Sequence, residues 1–302
     1  SFDTTKDVPS LTGKVIMITG ASTGIGFETV KNLLRGSPAH IYFAGRNRSK
    51  HEAAIASLRE LFPSTSTKLS FLECDLESLS SVQAAAKSFI MQSSAQPESE
   101  SNRLDILICN AGVHGAPDGQ TADGYEVRWG VNYMSHALLI KYLMPIMLQT
   151  AQRSGVEAEV RCVLVSSAGF RFTVSDGIDF KSQYLKYGQS KLATILLTRK
   201  LNEQHPSVKT VAVHPGIVGT GMNLGLGKAE VMFMKVSGWM NGYPWLTPEQ
   251  GAVNQTWAAV GKKENVIGGE YFEKPGEVGK PTKWSKSEQL QKELWEWTEE
   301  EL

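Results

Sequence analysis

Apolar residues recur along this chain in two alternating rhythms. Short, nearly unbroken apolar runs predict six strands: Lys14–Thr19, His40–Ala44, Lys68–Glu73, Leu104–Cys109, Val160–Ser166 and Lys209–His214. Helix-period patterns stand between them. One runs through Phe27, Val30, Leu33 and Leu34, a second over Ser49–Leu61 before Pro63, and a third over Ser78–Met91. A long one covers roughly Tyr125–Thr150, and another carries Tyr187, Ala193, Ile195, Leu196, Leu197 and Leu201. The polar stretch Ser93–Asn102 and the segment before Val160 read as surface loops. Strands that are apolar throughout and separated by helices require a parallel sheet covered on both faces. Two successive βαβαβ halves predict an α/β, doubly wound, dinucleotide-binding architecture, with its ligand beyond the carboxyl ends of the strands. No repeat or linker-like shift divides the chain, so one domain over residues 1–302 is expected.

Composition narrows the partners. The 302 residues have a formal net charge of zero and no basic stripe, which disfavours nucleic acid or an anionic membrane as partner. Cys74, Cys109 and Cys162 are an odd number without pair spacing, so reduced buried thiols are expected. No apolar run reaches the length of a membrane span, and Ser1–Leu11 lacks a signal-peptide core. A reducing, cytoplasmic setting is the expectation.

The candidate chemistry lies after each strand. Thr19 is followed by Gly20, Ala21, Ser22, Thr23, Gly24, Ile25 and Gly26. Glycines at that spacing, between a strand and a helix, let the backbone and the helix N-terminus approach a pyrophosphate. The second strand leads to Arg46, twenty positions past Gly26, where an NAD enzyme would carry an acid. A guanidinium there suits a 2′-phosphate, with Arg48, Lys50 and Ser22 as further contributors, and favours NADP(H) over NAD(H). The third strand leads to Asp75 and Leu76; Asp75 reads either as part of the following helix's N-cap region or as an acceptor for an adenine amino group. Asn110, Ala111 and Gly112 follow the fourth strand as a tight turn or a platform beside the cofactor. Ser166 and Ser167 follow the fifth, where a hydroxyl can donate to a substrate oxygen. Tyr187 and Lys191 share one helix face, and the ammonium should draw the phenol pKa down towards neutrality, fitting it for proton transfer. His136 and His214 read as structural. No His follows Ser166 and Ser167 in a triad-like context, and no metal-ligand motif is present, so a serine hydrolase and metal catalysis are poor fits.

Taken in order, TGASTGIG, CDL, NAG, the VN at Asn132, VSSAG, YGQSK and HPGIVGT resemble the short-chain dehydrogenase/reductase family over about Lys14 to Thr220. The resemblance implies a single Rossmann domain with a seven-stranded sheet and a catalytic tetrad of Asn132, Ser167, Tyr187 and Lys191. It implies Ser167 in preference to Ser166. It also implies that Tyr187 and Lys191 meet the cofactor, and that Pro215, Gly216, Val218 and Thr220 embrace its nicotinamide end. The C-terminal GGEYFEKPGEVGKPTKW run, the Arg after the second strand and the long Ser167–Tyr187 interval are similar to the retinol-dehydrogenase-like branch, without that branch's N-terminal anchor. The expected activity is NADP(H)-dependent hydride exchange with a carbonyl or alcohol of a hydrophobic small molecule. A C=C reductase, a cyclase and a non-catalytic NADP sensor are the alternatives the fold admits. Met222 to Trp245 supply apolar residues for a substrate lid over about 217–247, with His114, Phe170, Phe172 and Tyr184 as further candidate lining. A helical tail over about 285–302 and a possible homo-oligomer complete the expectations.

Overall fold

A computed structural model describes residues 2–97, 100–154, 159–180, 187–219, 232 and 244–302. The predicted strands form as β1 (Val15–Thr19), β2 (His40–Gly45), β3 (Lys68–Glu73), β4 (Ile106–Cys109), β5 (Val160–Val165) and β6 (Val208–Val213). Two short strands, β7 (Ile217–Val218) and β8 (Trp245–Leu246), pair with each other in parallel, and β9 (Tyr271–Lys274) and β10 (Glu277–Val278) follow. The main sheet has the order β10-β9-β6-β5-β4-β1-β2-β3. Seven of its strands are parallel, as expected, and an eighth, the two-residue β10, turns back antiparallel onto β9. A tight turn with Gly276 at φ +77° allows that reversal, which no apolar run in the sequence marks.

The helices are α1 (Gly24–Leu34), α2 (Arg48–Leu61), α3 (Leu79–Ser94), α4 (Val127–Trp129), α5 (Ser135–Ser154), α6 (Tyr187–Gln204), α7 (Pro248–Val260) and α8 (Glu288–Glu301). Their starts are written in the chain. Asn47 and Ser78 cap α2 and α3 with their side chains, and Thr247 forms a capping box with Gln250 ahead of Pro248 at the head of α7. The expected 125–150 helix is interrupted: a π-helical segment, Gly130–Met134, separates α4 from α5.

Alternation along β1 explains its unbroken apolarity. Val15 and Met17 face a layer built with Val82 and Phe89 of α3, Leu139 and Leu143 of α5, and Leu192 and Leu196 of α6. Ile16 and Ile18 face the opposite layer, with Val30 and Leu33 of α1, Leu58 of α2 and Trp257 of α7. Both faces are therefore dry. One buried carboxylate, Asp105, joins β1 to β4 at their amino ends. It accepts from Val15 N–H and Lys14 Nζ at 2.9 Å each, and from Arg103 at 2.6 and 2.8 Å. Charge-assisted bonds of about 1.5–3 kcal/mol each offset its desolvation. At the other end, the chain runs from β1 towards β3 in one direction and from β4 towards β9 in the other, opening a crevice between β1 and β4.

Candidate active site

The glycine turn after β1 is shaped by contacts that exclude a side chain. Gly20 and Gly24 adopt φ +69° and +58°. A Cβ on Gly26 would lie 2.3 Å from the Gly20 carbonyl oxygen and 2.6 Å from Asn110 Nδ2. The turn delivers the chain to the N-terminus of α1, where the side chain of the N-cap residue Thr23 makes no capping bond. Asn110 holds this turn from behind: its amide donates to the carbonyls of Thr19 and Gly20 at 2.8 and 3.2 Å. Its Oδ1 accepts from Gln255 at 3.1 Å. Ala111 packs on the same turn, 2.9 Å from where a Cβ on Gly20 would stand.

Arg46 stands beyond β2 with its guanidinium ion-paired to Glu77, a contact between residues far apart in sequence. Arg48 meets Glu52 and Glu73 and lies over the Phe71 ring. Asp75 is not the cap of α3, which is Ser78; its carboxylate accepts from Glu77 N–H at 3.0 Å. Leu76, its neighbour, is buried, and its carbonyl accepts from Ser135 Oγ at 2.6 Å.

On the other side of the crevice, Asn132 lies in the π-helical segment. Its side chain takes both backbone groups of Val113, accepting at 2.8 Å and donating at 3.0 Å, and donates to Ser190 Oγ at 3.2 Å. His136 bridges the Asn132 carbonyl and Thr19 Oγ1. Burial pushes its pKa down to about 4. His214 is likewise buried, with its pKa also down to about 4, so both histidines are neutral elements of the frame.

The two serines after β5 are sorted by their partners. Ser166 Oγ donates to the Lys191 carbonyl at 2.8 Å and is buried. Ser167 instead accepts from Gly169 N–H at 3.1 Å, and its hydroxyl faces the same space beside Gly169 as the Tyr187 ring. Two glycines permit that approach: a Cβ on Gly169 would stand 3.1 Å from Tyr187 Cε1, and one on Gly188 would stand 2.1 Å from the Phe172 carbonyl oxygen. Lys191 Nζ donates to the Val165 carbonyl at 2.8 Å and lies 5.6 Å from the centre of the Tyr187 ring. The expected fall of the Tyr187 pKa does not occur in this state. Burial raises it, the Ser167 hydroxyl lowers it in part, and burial brings Lys191 down to about 8. Both groups are thus pushed towards their neutral forms.

This layout coincides with a match to the short-chain dehydrogenase family model over residues 14–230. The chain belongs to the short-chain dehydrogenase/reductase family. It is 36% identical to the short-chain dehydrogenase/reductase drtF of Aspergillus calidoustus, over 98% of this chain and 95% of that protein. It is 32% identical to the human polyprenol dehydrogenase, over 95% of this chain and 84% of that one. Among solved structures, NADPH-bound carbonyl reductase from chicken fatty liver aligns with a TM-score of 0.63 at 22% identity, covering 88% and 98% of the two chains. L-sorbose reductase from Gluconobacter frateurii aligns at 0.65 and 18% identity, covering 91% and 100%. Membership makes this short-chain dehydrogenase/reductase an oxidoreductase that uses a nicotinamide cofactor.

One lining expectation needs correction. Phe170 is fully buried and packs edge-on against Tyr271, so it belongs to the core. Phe172 is 84% exposed, and His114 lies against the Tyr187 ring at 4.2 Å between centroids. Tyr184, Thr220 and most of the expected lid lie outside the described residues; the β7–β8 pair joins Ile217 to Trp245 and Val218 to Leu246 at the two ends of that segment. Gly216, at φ +86°, makes the bend into β7 after Pro215. Glu77 and Gln255 carry no motif, and their contacts across the fold give no signal in sequence. Among the described residues there is no metal-ligating cluster and no helix long and apolar enough to cross a membrane.

Proposed function

We propose that this enzyme reduces a carbonyl of a hydrophobic small molecule, or oxidises the corresponding alcohol, with NADP(H) and with Tyr187 as the proton donor or acceptor. The observation that carries this reading is the shared placement of Ser167 and Tyr187, where a Cβ on Gly169 would meet Tyr187 Cε1 at 3.1 Å and Ser167 Oγ at 3.4 Å, while Ser166 is occupied by the Lys191 backbone. One hydroxyl pair is thereby available to a single substrate oxygen.

The residues present fit a dinucleotide. A Cβ at Gly20 would collide with Ala111 and one at Gly26 with the Gly20 carbonyl, so both glycines are needed for the tight turn that brings the N-terminus of α1, with its N–H groups and positive dipole end, to a pyrophosphate. Arg46 suits a 2′-phosphate. Ala111, Gly112, Asp75 and Leu76 border the adenosine side, and Pro215, Gly216 and Val218 the nicotinamide side. When bound, the nicotinamide supplies or accepts the hydride. The protein's part is to orient and to move protons. Ser167 polarises the oxygen, and Tyr187, kept protonated at neutral pH by burial, gives its proton as that oxygen gains charge. Lys191 and Asn132, linked through α6 and Ser190, are positioned to steady the phenol and to resupply its proton.

A hydrophobic substrate is supported by the exposed Phe172 beside α6, by the apolar 217–247 segment and by a relative named for polyprenol, an apolar alcohol. Consumption of NADPH and NADH, followed spectrophotometrically over aliphatic, steroid, retinoid and polyketide-like carbonyls, tests the class. Tyr187→Phe should abolish nearly all turnover while NADPH still binds; substantial surviving activity would overturn the assignment.

A further inference from the structure

The carboxylate missing from the end of β2 is present in the fold, delivered from the β3–α3 turn. Glu77 faces Arg46 as an ion pair, and its backbone is pinned on both sides. Its N–H donates to Asp75 Oδ1 at 3.0 Å, and its carbonyl accepts from Ala122 N–H at 2.9 Å. The second guanidinium is drawn elsewhere: Arg48 stands 3.4 Å from Glu52, 3.9 Å from Glu73 and 4.7 Å from the centre of the Phe71 ring. Both guanidinium groups at this end of the crevice therefore already face carboxylates.

The two nicotinamide cofactors meet this pair differently. A 2′-phosphate must displace Glu77 from Arg46, or bind beside a like charge. A ribose 2′-hydroxyl can donate to the Glu77 carboxylate with the ion pair left intact. We propose that Glu77 is a specificity-determining residue: it competes with the 2′-phosphate for Arg46 and holds the preference for NADP(H) over NAD(H) below what Arg46 alone would set. The inference rests on the placement of the 2′-phosphate at Arg46 proposed above. Side-chain exposures of 64% for Arg46 and 39% for Glu77 make the competition one between solvated, salt-screened groups, so its size is modest.

Calorimetric titration of the full chain separates the two ideas. Adenosine 2′,5′-bisphosphate and adenosine 5′-monophosphate serve as probes for the parent protein, Glu77→Gln, Arg46→Ala and the double variant. Glu77→Gln should tighten the bisphosphate by about fivefold, the scale of one exposed ion pair, and should not tighten the monophosphate, whose 2′-hydroxyl loses a charged acceptor. That gain should shrink in high salt and vanish when Arg46 is also replaced. If Glu77→Gln leaves the bisphosphate unchanged while Arg46→Ala weakens it, the role of Glu77 is lost and the Arg46 reading survives. If Arg46→Ala has no effect on the bisphosphate, both fall.

Discussion

At the scale of single residues, the site depends as much on missing side chains as on reactive ones. Gly188 follows Tyr187 and lies against the carbonyl oxygens of Phe172 and Gly169, where a Cβ would sit at 2.1 and 2.9 Å. Gly188→Ala must push the turn that carries Ser167 away from the phenol. A shift of about 1 Å in such a pair costs up to about a hundredfold in rate, so kcat/KM should fall between tenfold and a hundredfold while the NADPH Kd holds. Steady-state kinetics beside a binding titration check this. The glycine turn and the placing of Tyr187 and Lys191 on one helix face were legible in the sequence because their spacing is local, whereas the choice of Ser167 over Ser166 came only with the family resemblance. The approach of Ser167 and Tyr187 beside Gly169 was not legible, nor was the Arg46–Glu77 pair, because each joins separate elements and neither partner's neighbours announce it. The direction of the Tyr187 shift was misjudged for a related reason. Spacing puts an ammonium nearby, but burial, which depends on the whole fold, outweighs it.

At the scale of elements, the π-helical segment Gly130–Met134 governs the frame around Asn132. Helix periodicity detects a helix there and misses the wider turn, since apolar residues continue through both. Immediately after it, His136 reaches Thr19 Oγ1 at 3.0 Å. Thr19 Oγ1 also accepts the N–H groups of Asn110 and Ala111, so its proton points to His136 Nε2, and the ring is neutral with its proton on Nδ1. His136 and His214 both have pKa values near 4 in the fold, against 6.5 when unfolded. Between those values the unfolded chain binds more protons, so stability decreases as pH falls from about 6.5 to about 4. The loss is roughly 3 kcal/mol per histidine over the full interval. Melting temperatures recorded across that window should decline steeply; a flat profile would contradict the neutral, buried assignment.

At the scale of the whole molecule, the C-terminal helix α8 braces the layer behind the site. Leu290 and Leu294 are buried against it, Tyr133 Oη and Thr298 Oγ1 lie 2.6 Å apart, and Trp297 packs on Phe180 and Trp129. Leu294→Ala should destabilise the fold by about 2–5 kcal/mol, the cost of a buried cavity, and chemical denaturation measures it directly. The helical tail was readable from its pattern, whereas its docking onto α6 depends on surfaces contributed from all along the chain. The two margins of the sheet show a different economy. On one side β10 is only two residues long and is followed by Gly279, Lys280 and Pro281; on the other, β3 begins and ends with the exposed charges Lys68 and Glu73. An incoming strand would find few free backbone partners on the first margin and charged ends on the second. The sheet is thereby guarded against lengthening into a fibre.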